Sequence, residues 1–197
     1  MITPEIWIDP TYPESILSDV PAECSLNLDL NLNYATPKPL RADFGIGVVG
    51  AGFIMRDVQL KAYADAQFNV VAITSKTPEK AREVANLRSI PCVYETFDSM
   101  LRDPAVEILD IAVPPDRQLD LIRQAAQTGR HLKGILAQKP LAVNYDQAVE
   151  IVRICEERGI PLAVNQNMRY DQSIRALKTL LERGVLGEPV LATIEMR

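Results

Sequence analysis

The chain has 197 residues, of which 47% are hydrophobic and 24% are charged, the composition of an ordinary globular protein. Its longest nearly uncharged run, residues 44–55, is too short to cross a bilayer, and no basic, apolar leader precedes it, so we expect neither membrane insertion nor secretion. The three cysteines, Cys24, Cys92 and Cys155, lack the spacing of a zinc site or a disulfide framework, which favours a reducing, cytoplasmic location. Residues 1–43 hold seven acids and two bases and so account for the whole net charge of -5, and the neutral remainder argues against a nucleic-acid partner.

The first 43 residues are predicted to form an extended, proline-rich acidic arm. They contain six of the fourteen prolines and no glycine, and no helical period survives that spacing. Within them Leu26–Leu32 alternates leucine with polar residues, the pattern of an edge strand. Two interpretations stay open: a disordered tail, or an arm that packs on the body or on another subunit.

From Phe44 onward, short apolar runs alternate with amphipathic stretches. Strands are predicted at Ile46–Val49, Asn69–Thr74, Cys92–Tyr94, Ile108–Val113, Leu132–Ala137 and Pro161–Asn165, and helices at about 53–64, 78–87, 97–101, 115–129, 145–158 and 171–183. This alternation predicts an α/β fold, a Rossmann-type doubly wound parallel sheet over residues 44–185. Residues 186–197 are predicted to hold only the first strand, Val190–Met196, of a second, truncated α/β domain for substrate binding or oligomerisation.

One helix carries clear start and stop signals. Asn144 is a candidate N-cap, with Gln147 three residues later as its capping-box partner, and Gly159 ends the helix. Its predicted core face consists of Ala148, Ile151, Val152 and Cys155. Cys155 is therefore interpreted as a packing residue rather than a nucleophile.

Ligands of such sheets bind beyond the carboxyl ends of the strands. After the first strand, Gly50 permits a tight turn and Gly52 lets the backbone approach a pyrophosphate, and the helix that follows offers free N–H groups. Met55 stands where a third small residue is usual, and a more open helix–strand crossing is expected to accommodate it.

The later strand ends suggest a cofactor and a catalytic group. After the second strand no carboxylate follows, and Ser75 with Lys76 suits the 2′-phosphate of NADP better than the ribose of NAD, although a solvated lysine is the alternative. Pro114 begins a rigid wall after the predicted strand Ile108–Val113, which would flank a ribose or simply end the strand. Lys139 follows the predicted strand Leu132–Ala137 and is either a proton-transfer group or a surface lysine.

From Ile46 to Arg197 the sequence resembles the amino-terminal part of the glucose–fructose oxidoreductase/inositol dehydrogenase (Gfo/Idh/MocA) family. The resemblance rests on stretches in the family's order: VVGAGFI at 48–54, SKTPEKA at 75–81, DIAVPP at 110–115, QKPLA at 138–142, AVNQNMRYD at 163–171 and LGEPVLATIEMR at 186–197. It implies a dinucleotide-binding domain followed by an α/β domain with a large open sheet. The resemblance also implies NADP or NAD as cofactor and a sugar or polyol as substrate when the second domain is supplied.

The resemblance assigns roles to eleven residues. Lys139 would polarise or deprotonate the substrate hydroxyl as hydride leaves its carbon. The cofactor would be held by Gly50, Gly52, Phe53, Ile54, Ser75, Lys76, Pro114, Gln138, Asn165 and Arg169.

The sequence departs from the family pattern near the lysine. Gln138 replaces the usual glutamate, and Gln118 stands where relatives often have a histidine. Residues 131–139, the segment that leads to Lys139, are about three residues more than the family usually has there. This insertion is expected to bulge the strand. His131 is expected to be a surface or capping residue, and the family's second acid–base residue comes from the second domain.

Three functions are compatible with these observations. The first is an NADP-preferring oxidoreductase, present here as its nucleotide-binding part. The second is a non-catalytic dinucleotide-binding protein, a sensor or assembly partner, and the third is a structural module with a vestigial site. Because Val190–Met196 would leave an open strand edge, we also expect a homo-oligomer.

Overall fold

The short apolar runs of the sequence form the six strands of one sheet. The structure, a computed structural model, describes residues 32, 34–35 and 39–195. The strands are β1 (Ile46–Val49), β2 (Val70–Thr74), β3 (Cys92–Tyr94), β4 (Ile108–Ile111), β5 (Gly134–Gln138) and β6 (Leu162–Asn165). The helices are α1 (Leu60–Asp65), α2 (Pro78–Arg88), α3 (Phe97–Leu101), α4 (Pro115–Thr128), α5 (Tyr145–Glu157) and α6 (Gln172–Glu182), with a π-helical segment at Ile54–Gln59 and a 3-10 helix at Asn167–Tyr170.

All neighbouring strands are parallel, in the order β3-β2-β1-β4-β5-β6. This is the doubly wound order in which the chain reverses direction across the sheet between β1 and β4. The predicted Rossmann-type α/β fold is confirmed. Its carboxyl edge is therefore the place to look for a ligand site.

Alternate residues of β1 serve two hydrophobic cores, one on each face of the sheet. Val48 packs with Met55 and Val84 in the core formed with α1 and α2. Val49 belongs to the other core, which α3, α4 and α5 complete through residues such as Ile122 and Ile151. Helices thus cover both faces, as the sequence pattern indicated.

The end signals of α5 are confirmed, but its predicted core face is only partly correct. Asn144 caps the helix by accepting a hydrogen bond from the backbone N–H of Gln147 at 2.9 Å. Ile151 and Cys155 are buried, whereas Val152 is 40% exposed, because it lies about 100° around the helix from Ile151. Cys155 is a packing residue, and burial raises the pKa of its thiol.

The approach to Lys139 differs from the expectation. β5 begins at Gly134 rather than Leu132, and it pairs without a bulge with β4 and β6. A turn that contains His131 precedes the strand. The strand that leads to Lys139 is therefore regular.

At the carboxyl end, the strand expected at Val190–Met196 is not formed within residues 190–195, which are exposed. A strand needs a hydrogen-bonding neighbour, and none of the described strands pairs with this segment. Most of the predicted patch Leu26–Leu32 and of the arm lies outside the described residues. No helix in the described part of the chain combines the length and apolar character that a membrane crossing requires.

Candidate functional site

A cavity of about 770 Å³ opens at the carboxyl edge of the sheet, where β1, β2 and β4 end. Its walls come from the loop after β1, from the start of α2 and from the start of α4. The cavity brings together five of the predicted cofactor residues: Gly50, Gly52, Ser75, Lys76 and Pro114. The strand ends thus meet where the parallel topology requires.

The two glycines of the loop have different surroundings. Gly50 has a φ of +107°, and a Cβ there would lie 2.5 Å from the carbonyl oxygen of Ala112. Its N–H donates to the carbonyl oxygen of Thr74 at 2.8 Å, which ties the loop to the end of β2. A Cβ on Gly52 would meet no atom within 4 Å, so the space above this residue is open. Only glycine fits at position 50, whereas Gly52 leaves its backbone accessible from the cavity.

The helix after the loop begins with a π-helical turn that carries Met55 into the core. The N–H of Leu60 donates to the carbonyl oxygen of Met55, the wider spacing of a π-helix, and the Met55 side chain is fully buried. Phe53 and Ile54 lie at the outer side, 67% and 42% exposed. Neither is among the residues that line the cavity.

The part of the cavity where the sequence predicts the adenosine end of the cofactor contains a second cation. Ser75 is half-buried, and its Oγ accepts a hydrogen bond from the N–H of Thr77 at 3.3 Å, so its O–H can still donate to a ligand. Lys76 and Lys80 are both exposed and both line the cavity. Lys80 was not identified from the sequence, although its position four residues after Lys76, in the first turn of α2, was the available signal.

Among the charged side chains that line the cavity, Lys76 and Lys80 are the cations whose charge no ion pair offsets within the described residues. Acidic side chains also line it, but each has an arginine partner: Glu95 pairs with Arg82 at 2.9 Å, Asp120 with Arg123 at 3.1 Å and Asp116 with Arg117 at 4.0 Å. Within the described residues neither lysine forms an ion pair. A bound anion would therefore meet two cations that no carboxylate neutralises.

Gln118, at the position where a histidine was expected, has a structural role at the end of β5. Its side chain is fully buried in α4. Its Nε2 donates to the carbonyl oxygens of Gln138 at 2.9 Å and of Pro140 at 2.8 Å. These two bonds hold the turn that contains Lys139, and no pattern in the sequence predicts this contact.

The remaining predicted residues lie at the ends of β5 and β6, outside the cavity lining. Gln138 and Asn165 are partners in the β5–β6 register. The side chain of Lys139 is exposed, and its N–H donates to Oε1 of Gln138 at 3.0 Å. Arg169 is exposed in the 3-10 helix after β6. The structure therefore divides the predicted site into a cavity group and this β5–β6 group, along one edge of the sheet.

A buried carboxylate lies below the site in β4. Asp110 accepts hydrogen bonds from the Tyr63 hydroxyl at 2.7 Å and from Nε2 of Gln59 at 2.8 and 3.1 Å. Burial raises the pKa of Asp110 from 3.8 to about 6, and the two hydrogen-bond donors oppose that rise. Oε1 of Gln59 is buried without a hydrogen-bond partner in the described part of the chain. The cluster joins the helix of the loop to the strand beneath it.

The cavity group has the chemistry that a dinucleotide requires. An open glycine backbone and a helix start suit a pyrophosphate, and a hydroxyl with two cations suits a further phosphate. Pro114, which has no N–H, offers an apolar wall between these parts and the β5–β6 group.

Comparisons with known proteins agree with this geometry. A family model described as "Oxidoreductase family, NAD-binding Rossmann fold" (GFO_IDH_MocA) matches residues 44–166. The chain is 30% identical over 151 residues to D-apiose dehydrogenase of Rhizobium rhizogenes, in an alignment covering 76% of this chain and 43% of that enzyme.

Two solved structures extend the comparison. An oxidoreductase of Agrobacterium radiobacter, in complex with NAD+, L-tartaric acid and magnesium, has a TM-score of 0.69 and 29% identity, covering 75% of this chain and 42% of that one. The 3-ketoreductase KijD10 of Actinomadura kijaniata, in complex with NADP and TDP-benzene, has a TM-score of 0.65 and 26% identity, covering 74% and 44%. The chain spans less than half the length of these relatives.

Proposed function

This chain belongs to the Gfo/Idh/MocA oxidoreductase family with its NAD-binding Rossmann fold, and from that premise we propose that it is the nucleotide-binding part of an oxidoreductase that prefers NADP. The observation that carries the proposal is the cavity of about 770 Å³ with an open glycine loop and an unneutralised pair of lysines. Ser75, Lys76 and Lys80 would bind the 2′-phosphate, because a hydroxyl and two cations offer several donors to its oxygens. The backbone at Gly50–Gly52 would bind the pyrophosphate.

The proposed reaction is hydride transfer to or from a sugar, a polyol or a related hydroxyl compound. The cofactor supplies the nicotinamide carbon that accepts or gives the hydride. Lys139 would take the proton of the substrate hydroxyl during oxidation and return it during reduction. Gln118 would fix the turn that presents this lysine, and Asn165 and Arg169 would orient the groups beside it.

A titration with reduced dinucleotides tests the cofactor proposal. We expect the 197-residue chain to bind NADPH more tightly than NADH in calorimetry. Lys76→Ala and Lys80→Ala should each raise the Kd for NADPH by roughly tenfold, the usual loss for a hydrogen bond to a charged group, and leave the Kd for NADH nearly unchanged. Lys133→Ala is the matched control, because Lys133 is also exposed but precedes β5 at the other edge of the sheet.

The outcomes separate the alternatives. Equal losses for NADPH and NADH would show that the lysines do not read the 2′-phosphate. Failure to bind either dinucleotide would contradict both the oxidoreductase and the dinucleotide-binding alternatives. Binding without turnover on a panel of sugars and polyols would favour the non-catalytic protein.

The role of Lys139 has its own test. Lys139→Ala is assayed in a form of the protein that catalyses polyol oxidation. The substitution should lower kcat by about 10²- to 10⁴-fold, because the reaction loses its proton acceptor. The Kd for NADPH should stay within about twofold, since Lys139 lies outside the cavity lining. Unchanged kcat would show that another group takes the proton.

A further inference from the structure

Helix α6 has two apolar sides, and none of its side chains is fully buried. Ile174, Leu177 and Leu181 form an exposed stripe on one side. Ala176, Thr179 and Leu180, spaced three and four residues apart, share another side and are half-buried. We call this second set the covered side of α6.

A residue of the amino-terminal arm contacts the covered side. The Thr179 hydroxyl donates a hydrogen bond to the backbone carbonyl oxygen of Leu32 at 2.8 Å, across 147 positions of the sequence. The same hydroxyl also reaches the carbonyl oxygen of Arg175 at 3.1 Å, within its own helix. Leu32 is half-buried. Leu32 therefore lies against α6 at Thr179.

The sequence before Leu32 suits the rest of this helix. Leu26, Leu28, Leu30 and Leu32 alternate with polar residues, so an extended segment would present all four leucines to one surface. The charges of this segment and of α6 are complementary, because the only charged residue of the segment is Asp29, while residues 172–183 hold three bases (Arg175, Lys178 and Arg183) and one acid, Glu182.

We propose that Leu26–Leu32 packs along the covered side of α6 in the same chain. The leucines exclude water from Ala176 and Leu180, and the Thr179 hydroxyl fixes the register at Leu32. α6 follows directly on β6 and the 3-10 helix, which carry Asn165 and Arg169. The arm thereby restrains α6 and, through it, the preceding segment that carries Asn165 and Arg169.

Limited proteolysis of the full chain with thermolysin, which cleaves before leucine, tests the proposal. Cleavage within Leu26–Leu32 should be about tenfold slower than in a synthetic peptide of residues 20–38, since cleavage follows the undocked fraction. Leu180→Asp should return the rate to that of the peptide, and Thr179→Val should raise it by about two- to fivefold through loss of one hydrogen bond. Mass spectrometry of the fragments assigns each cut.

Leu177→Asp is the matched control, because it makes the same change in the same helix on the exposed stripe, and it should leave the cleavage rate unchanged. Circular dichroism checks that each variant is folded, and the comparison between wild type and peptide needs no variant. Equal cleavage of wild type and peptide would overturn the proposal. So would release of the arm by Leu177→Asp rather than Leu180→Asp. Protection that disappears on dilution would also overturn it, because the arm would then bind a second copy of the chain.

Discussion

Two glycines in the loop after β1 are expected to respond differently to the same substitution. Gly50→Ala forces a Cβ toward the carbonyl oxygen of Ala112 at a φ of +107°, so the free energy of unfolding should fall by about 3 kcal/mol. Gly52→Ala meets no atom within 4 Å and should leave stability within about 0.5 kcal/mol. It should nevertheless weaken NADPH binding, because the new methyl group occupies the open space above the loop.

Urea denaturation and NADPH titration of both variants check this expectation. A Gly52→Ala variant that binds NADPH like the wild type would show that the pyrophosphate does not lie over this residue. A Gly50→Ala variant of wild-type stability would show that the loop can rearrange around position 50.

The contact between β4 and the helix of the loop makes stability depend on pH. Asp110 has a pKa of about 6 in the fold, against 3.8 for its ordinary value. Between these values the folded chain keeps a proton that the unfolded chain has released, so stability falls as pH rises from about 4 to 6. The shift corresponds to a loss of about 3 kcal/mol in the free energy of unfolding, and this loss is complete above pH 6.

Asp110→Asn should therefore flatten the stability profile between pH 4.5 and 7.5. The amide can accept from Tyr63 and, after rotation of the Gln59 amide, donate to its unpaired Oε1. Urea denaturation across this pH range measures the effect. An unaltered profile would contradict the assignment.

Asp103 is the matched control, since it also accepts a tyrosine hydroxyl, from Tyr94, at 2.7 Å. The pKa of its carboxyl is lowered, first by that hydrogen bond, so its contribution to stability is lost as pH falls. Asp103→Asn should consequently lower stability at neutral pH, whereas Asp110→Asn, which removes a buried charge, should raise it.

At the scale of elements, local signals predicted structure well where a few neighbouring residues decide the outcome. The cap at Asn144 and the glycine turn after β1 depend on such neighbours, and both are present. The strand at Val190–Met196 needed a partner strand, which residues 190–195 do not find in the described sheet. A period of apolar residues predicts a strand but does not supply its hydrogen bonds.

The site was predictable to the same extent. The strand ends at Gly50 and Ser75 follow from topology, because parallel strands deliver their carboxyl ends to one edge. The bonds from Gln118 to the turn at Gln138 and Pro140 join residues twenty positions or more apart, and no periodicity records them. Lys80 was missed for another reason: it is an exposed lysine in the first turn of α2, and its role depends on where the cavity lies.

At the scale of the whole molecule, the carboxyl-terminal segment leaves apolar side chains in water. Val190, Leu191 and Ile194 are 96%, 86% and 87% exposed. Surfaces of this kind promote association, so light scattering should detect concentration-dependent oligomers of the chain. The double variant Leu191→Lys/Ile194→Lys should shift the distribution toward monomer.

Leu87→Lys is the control for a change of charge alone, because Leu87 is an isolated exposed leucine on α2. A chain that stays monomeric at all concentrations, or that dissociates equally with Leu87→Lys, would contradict association through residues 190–194.

The strand order also fixes how far apart the two groups of site residues lie. Ser75 follows β2 and Lys139 follows β5, with β1 and β4 between them. Three strand spacings amount to about 14 Å, so one ligand that reaches both must lie stretched across the sheet. The choice between dinucleotides and the handling of a substrate thus rest on different strands. In a lineage of such proteins, either property could be exchanged by mutation while the other is preserved.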